Sequence, residues 1–150
     1  VGSDGGAVSI CCVTIEGVLA HGDDLRNAAP TKWGRSFYEG LALNFRTIGF
    51  TRADNEIAQW WLKREVITGW AAVMTQEPYL PWNQWKVQQV KDFLAEGWEV
   101  GMVIDTDPEV CAEVTELGVL SLCVSYPTMK VGWRSHETSP RPWSEVAGTL

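Results

Sequence analysis

The chain has 150 residues, with 12 Lys and Arg against 19 Asp and Glu, so its net charge is 12 − 19 = −7. With 45% hydrophobic and 21% charged residues it has the balance of one globular domain with a sizeable core, which excludes a disordered chain. The acidic surplus offers no basic stripe to neutralise phosphates, so neither a nucleic acid nor a membrane surface is an expected partner. No stretch approaches the ~18 consecutive apolar residues of a membrane span, and the opening VGSDGGAVSI lacks the basic start of a signal peptide. The expected location is therefore the cytoplasm.

Residues 1–7 are Gly-rich and polar, and are expected to form a flexible lead-in. Ser9 to Ile15 is a continuous apolar, β-branched run, which suits a strand buried on both faces of a parallel sheet. A polar stretch with a turn signal at Gly22 to Asp24 follows. Gly34 to Leu43, carrying Phe37, Leu41 and Leu43, reads as a short helix, and Arg46 to Thr51 as a second strand. Asp54 suits the N-cap of a helix over Asn55 to Val66, where Ile57, Trp60, Trp61 and Leu62 recur at helical spacing.

Trp70 to Met74 predicts a third strand, and Asn83 to Glu96 a helix with Trp85, Val87, Val90, Phe93 and Leu94 on its apolar stripe and Gly97 at its end. Val100 to Ile104 is a fourth strand. Asp107-Pro108 then opens a helix over Glu109 to Leu117, closed by Gly118, and Val119 to Val124 is a fifth strand. Strands alternating with helices in this way define an α/β fold of three layers around a parallel sheet.

The composition changes at Ser125. Pro127, Pro140 and Pro142 interrupt polar sequence that also holds Trp133 and Trp143, which predicts an extended arm over 127–150 with a helical turn near Ser144 to Ala147. The body of the domain is therefore 8–126. Trp60, Trp61, Trp85 and Trp98 stand in or beside helices with apolar partners and are expected in the core. Trp133 and Trp143 have no local core and must dock on the body or on a neighbouring protein. Sugar binding by exposed tryptophans is a competing function class with no further support in the sequence.

Cys11, Cys12, Cys111 and Cys123 lie in apolar surroundings without C-x-x-C spacing, the pattern of buried, reduced thiols. On a strand, Cys11 and Cys12 point to opposite faces and do not readily share a metal.

In open parallel sheets, ligands bind outside the carboxyl ends of the strands. The polar residues at those ends are Thr14 and Glu16 after the first strand, Thr51 after the second, and Asp105 and Asp107 after the fourth, with Lys86 early in the preceding helix. In order and placement they resemble the motifs of the haloacid dehalogenase-like (HAD) superfamily. Thr14-Ile15-Glu16-Gly17-Val18 is similar to its first motif, D-x-D-G-[TV], Thr51 to its second-motif Ser/Thr, Lys86 to its third-motif Lys, and Asp105/Asp107 to its acidic fourth motif. The stretches KVQQVKDFLAEGWEVG, DTDPEVCAEVTELGV and SPRPWSEV are most similar to HAD-like proteins of actinobacterial phages.

The resemblance covers about residues 8–126 and implies a capless Rossmann-like domain with sheet order 5-4-1-2-3. It also implies roles. A strand-end carboxylate attacks phosphorus, an acid two residues later protonates the leaving group, Ser/Thr and Lys hold phosphate oxygens, and the fourth-motif acids hold Mg²⁺. Here the nucleophile position is Thr14, whose hydroxyl ionises far above a carboxylate's ~3.9 and supplies no charge to a hard cation. Glu16 keeps the second acid but is one methylene longer. Asp23 and Asp24, where the family has a flap, are the remaining candidates for the missing carboxylate.

The expectation is a catalytically degenerate binding or structural module. Mg²⁺ would be held weakly at best, and the arm would engage virion proteins, making a virion-associated location the alternative to the cytoplasm. The competing expectation is an active Mg²⁺-dependent phosphohydrolase on a small phosphorylated metabolite or nucleotide, using Glu16 or an unassigned acid. Each residue also has a plainer structural role: Asp107 as a helix cap, Lys86 as a solvated helix lysine, Thr51 as a partner for backbone, Glu16 as a turn residue, and His21 and His136 as solvated imidazoles.

Overall fold

The computed structural model describes residues 9–125. The lead-in 1–7 and the arm 127–150, with His136, Trp133 and Trp143, lie outside the described residues.

Five parallel strands form one sheet: β1 (Ile10–Thr14), β2 (Arg46–Thr51), β3 (Ala72–Thr75), β4 (Val100–Asp105) and β5 (Ser121–Cys123), in the order β3-β2-β1-β4-β5. Read from the other edge, this is the expected 5-4-1-2-3. β1 is central, paired with β2 from Ile10↔Arg46 to Thr14↔Phe50 and with β4 on its other side. Every residue of β1 is buried, as a strand with both faces covered requires.

Alternation along β1 divides the core into two layers. Cys11 and Val13 face α2 (Gly34–Asn44) and α3 (Asn55–Arg64), packing with Tyr38, Leu41, Trp61 and Leu62. Ile10 and Cys12 face α4 (Trp82–Ala95) and α5 (Pro108–Glu116), packing with Phe50, Trp85, Val90 and Val114. The two adjacent cysteines thus serve opposite layers, as the strand geometry predicts.

Several expectations need correction. The third strand begins at Ala72, not Trp70. Gly69 turns the chain in the left-handed region (φ 90°), and Trp70 folds back to donate its indole N–H to the Ile67 carbonyl at 3.0 Å and pack on Tyr38, with ring centroids 4.3 Å apart. Helix α3 stops at Arg64 because Val66 itself adopts a left-handed conformation (φ 58°). Asp54 makes no side-chain capping bond. The fifth strand has only three residues, since Val119 still closes α5 by donating to the Val114 carbonyl at 3.3 Å.

Two of the four tryptophans expected in the core, Trp60 and Trp98, are exposed, each beneath an arginine (Arg64 and Arg46). Leu43 is 85% exposed at the end of α2. Cys123 is exposed on the edge strand, unlike the other three cysteines. Among the described residues, no helix is long and apolar enough to cross a membrane.

Candidate functional site

The carboxyl ends of β1, β2 and β4 meet because the three strands are neighbours in nearly even register. They bring Thr14, Thr51 and Asp105 to one edge. Just beyond β1 the chain makes a broken helical turn, α1 (Ile15–Val18), in which Glu16 is extended (φ −70°, ψ 120°) and Gly17 is left-handed (φ 100°). That reversal turns the Glu16 side chain towards β2. A Cβ on Gly17 would meet the Thr106 side chain at 3.0 Å, so glycine is required here by both conformation and space.

Asp105 is the hub. Its Oδ2 accepts the Thr14 hydroxyl at 2.6 Å and pairs with Lys86 Nζ at 2.7 Å. Its Oδ1 accepts the backbone N–H groups of Thr106 at 2.7 Å and Asp107 at 2.9 Å. A carboxylate offers about four lone-pair sites, and all are taken. Lys86 reaches the hub from α4 across the Trp82 ring, 4.6 Å from its centroid. The expectation of a solvated helix lysine is corrected: Lys86 is 2% exposed, because the pairing with Asp105 holds it inside.

Glu16 occupies the other half of the cluster. Its Oε2 accepts the Thr51 hydroxyl and the Arg52 backbone N–H, both at 2.8 Å, while Oε1 is buried without a hydrogen-bond partner. Burial pushes the Glu16 carboxyl above its usual range, against the opposing effect of these two donors. Thr51 also accepts the Ala53 N–H at 3.0 Å, so it both orders the turn after β2 and fixes Glu16. Thr14, Glu16, Thr51, Lys86 and Asp105 are all buried, which makes the cluster a closed polar knot beneath the sheet edge.

The Asp107 side chain stands apart from this knot, although its backbone N–H joins it. Oδ1 caps α5 by accepting the Glu109 N–H at 2.9 Å, and Oδ2 accepts Asn83 Nδ2 at 2.6 Å. Asp23 and Asp24 lie in the exposed loop after α1. Asp24 accepts the Arg26 N–H and the Asn27 side-chain amide, each at 3.0 Å, and Asp23 pairs loosely with Arg52 at 3.6 Å. His21 is exposed in the same loop. Among the described residues, no group of three or more His, Cys, Asp and Glu side chains is arranged to hold a metal ion.

Sequence reasoning missed Arg52, Trp82, Asn83 and Thr106. Arg52 serves through its backbone N–H, which carries no signature in residue type. Trp82 and Asn83 open α4 within or close to one turn of Lys86, a proximity that was legible, although their partners were not.

No family model matches the sequence, and no curated protein matches it. Solved structures do. The chain is similar to a chain of the Pnkp1/Rnl/Hen1 RNA repair complex, with a TM-score of 0.62 and 15% identity over 81% of this chain and 43% of that one. A second structure of the Pnkp1/Rnl/Hen1 complex matches with a TM-score of 0.62 and 16% identity over 83% and 48%. A haloacid dehalogenase-like family hydrolase from Streptococcus pneumoniae matches with a TM-score of 0.53 and 13% identity over 84% and 62%. The chain therefore spans less than two thirds of each of these neighbours. At such identities the likeness concerns the fold: a Rossmann-like α/β domain with an all-parallel sheet, shared with a HAD-like hydrolase.

Proposed function

We propose that this chain is a HAD-like domain whose phosphotransfer site has decayed, and that it works as a binding or structural module. The observation that carries the reading is the Thr14 hydroxyl donated to Asp105 Oδ2, the oxygen that Lys86 also takes. An attacking group at this position needs a free anionic oxygen. Thr14 instead presents a neutral hydroxyl whose proton is committed to Asp105, and among the described residues no histidine stands beside it to act as base.

With a hydroxyl at residue 14 the residues do not fit Mg²⁺, since Thr14 brings no charge and its proton occupies Asp105 Oδ2. Both oxygens of Asp105 are saturated, Asp107 is committed to α5 and Asn83, and the Lys86 ammonium lies against the one carboxylate that a dication would need. Lys86 already neutralises the cluster's buried anion, and no reaction step is assigned to a metal. Assembly with other proteins is the mode of action we infer. Two structural neighbours come from a multi-protein complex, and the resemblance to phage HAD-like proteins makes virion components the partner class, engaged through Trp133 and Trp143.

One observation favours the rival reading of an active phosphohydrolase. The raised Glu16 carboxyl, with a buried, unpartnered Oε1, has the character of a general acid. The test is turnover of a generic aryl phosphate with Mg²⁺ by the native chain and by Glu16→Gln and Asp105→Asn. Equal background rates in all three support the decayed site, and native turnover lost in both variants establishes the rival.

A further inference from the structure

A second cluster of reactive side chains lies at the β5 edge of the sheet. Cys111 sits on α5 with its thiol donating to the Leu122 carbonyl at 3.7 Å, and Cys123 on β5 donates to the Thr106 carbonyl at 3.6 Å. The Cys111 thiol thus touches the carbonyl of the residue that immediately precedes Cys123 in β5, which brings the two cysteines side by side at this edge. One is buried and the other exposed, so a solution reagent meets Cys123 first and finds Cys111 behind it.

The backbone that carries them is braced. Thr115 and Ser121 hydroxyls donate to the Cys111 carbonyl at 2.8 and 3.1 Å and lie 3.0 Å from each other, tying the end of α5 to the start of β5. Cys11 and Cys12 offer no such pairing, because they are buried on opposite faces of β1.

We propose that Cys111 and Cys123 form an oxidisable dithiol site that reacts with low-molecular-weight disulfides, oxidised glutathione being the probe, and closes to an internal disulfide. The Cys123 thiolate attacks one sulfur of the small disulfide, forming a mixed disulfide and expelling one small thiolate. The Cys111 thiolate then attacks the Cys123 sulfur and expels the second. The protein pair loses two electrons and two protons, and the small disulfide gains them as two thiols.

Cys123 is the exposed thiol and therefore the entry point, and Cys111, whose thiol burial and the neighbouring Cys123 push up to about 11, is the resolving partner behind it. Capping the Cys123 sulfur removes its part in that shift. Cys123 also lies in register with Asp105, and the carbonyl it donates to belongs to Thr106, whose N–H holds Asp105 Oδ1. Closure therefore acts on the loop that fixes the buried carboxylate.

The test is treatment of the full native chain with oxidised glutathione, followed by thiol counting under denaturing conditions and peptide mapping. The count is expected to fall from the four cysteines of the sequence to two, with Cys111 linked to Cys123. Cys111→Val is expected to stop at a mixed disulfide on Cys123, and Cys123→Ser to leave its thiols unreacted. A persistent glutathione adduct on native Cys123, a dimer linked through Cys123, or four unreacted thiols would overturn the proposal.

Discussion

Lys86 and Asp105 meet at 2.7 Å at the carboxyl end of β4, with both side chains almost wholly excluded from water. A buried pair of this kind is costly to break, because removing one partner strands the other's charge in a low-dielectric interior. The pair therefore stabilises the fold whether or not the cluster has any chemistry left.

Lys86→Met is expected to lower stability by about 3–5 kcal/mol, as seen when one member of a buried pair is lost. Adding Asp105→Asn to that variant should recover much of the loss, since the stranded charge is gone. Urea denaturation of the two variants and the native chain measures both effects. A loss below about 1 kcal/mol for Lys86→Met would place the pair among solvent-screened surface bridges.

Glu16 makes stability depend on pH in a predictable direction. Its folded pKa lies above 4.5, chiefly through burial. Between 4.5 and the raised folded value, the native chain keeps a proton that the unfolded chain has released, so this residue's contribution declines as pH rises across that window. Glu16→Gln cannot ionise and should show a flatter pH profile, with its advantage over the native chain growing from pH 4.5 upwards. Denaturation midpoints at a series of pH values test this, and parallel profiles would contradict it.

Val66 holds a left-handed backbone (φ 58°) at the end of α3, where the Ile67 N–H reaches back to the Leu62 carbonyl at 2.9 Å. Helices commonly end on a residue of this conformation, and glycine adopts it without the β-carbon penalty of about 1–2 kcal/mol. Because Val66 is exposed, little packing is lost on truncation. Val66→Gly is expected to raise stability by up to about 1 kcal/mol after glycine's greater unfolded-state entropy is subtracted. A lower melting temperature would show that the Val66 side chain contributes more than its surroundings indicate.

Those tests also mark where the sequence was informative. The strands at the centre of the sheet were legible because continuous β-branched runs such as Cys11 to Ile15 have few alternatives to burial on both faces. The meeting of Thr14, Glu16, Thr51, Lys86 and Asp105 followed from strand-end placement combined with the sheet order that the family resemblance supplied.

The partners were not legible. Whether Lys86 pointed to solvent or to Asp105 depended on how α4 lies across the sheet, which helical periodicity does not fix. The same holds for Trp70, whose β propensity was overridden by the turn at Gly69 and the contact with Tyr38. Spacing alone suggests a core position for Trp60, yet the buried face of α3 is Ala58, Trp61 and Leu62, and Trp60 falls at its edge, where Arg64 covers it.

The hydroxyl at residue 14 is proposed to be what withholds phosphotransfer. The most direct measurement compares the hydrolysis of an aryl phosphate by the native chain and by Thr14→Asp, each with saturating Mg²⁺. No turnover above background is expected for the native chain, with measurable turnover appearing when the carboxylate is supplied. Native turnover equal to or faster than that of Thr14→Asp would contradict the claim.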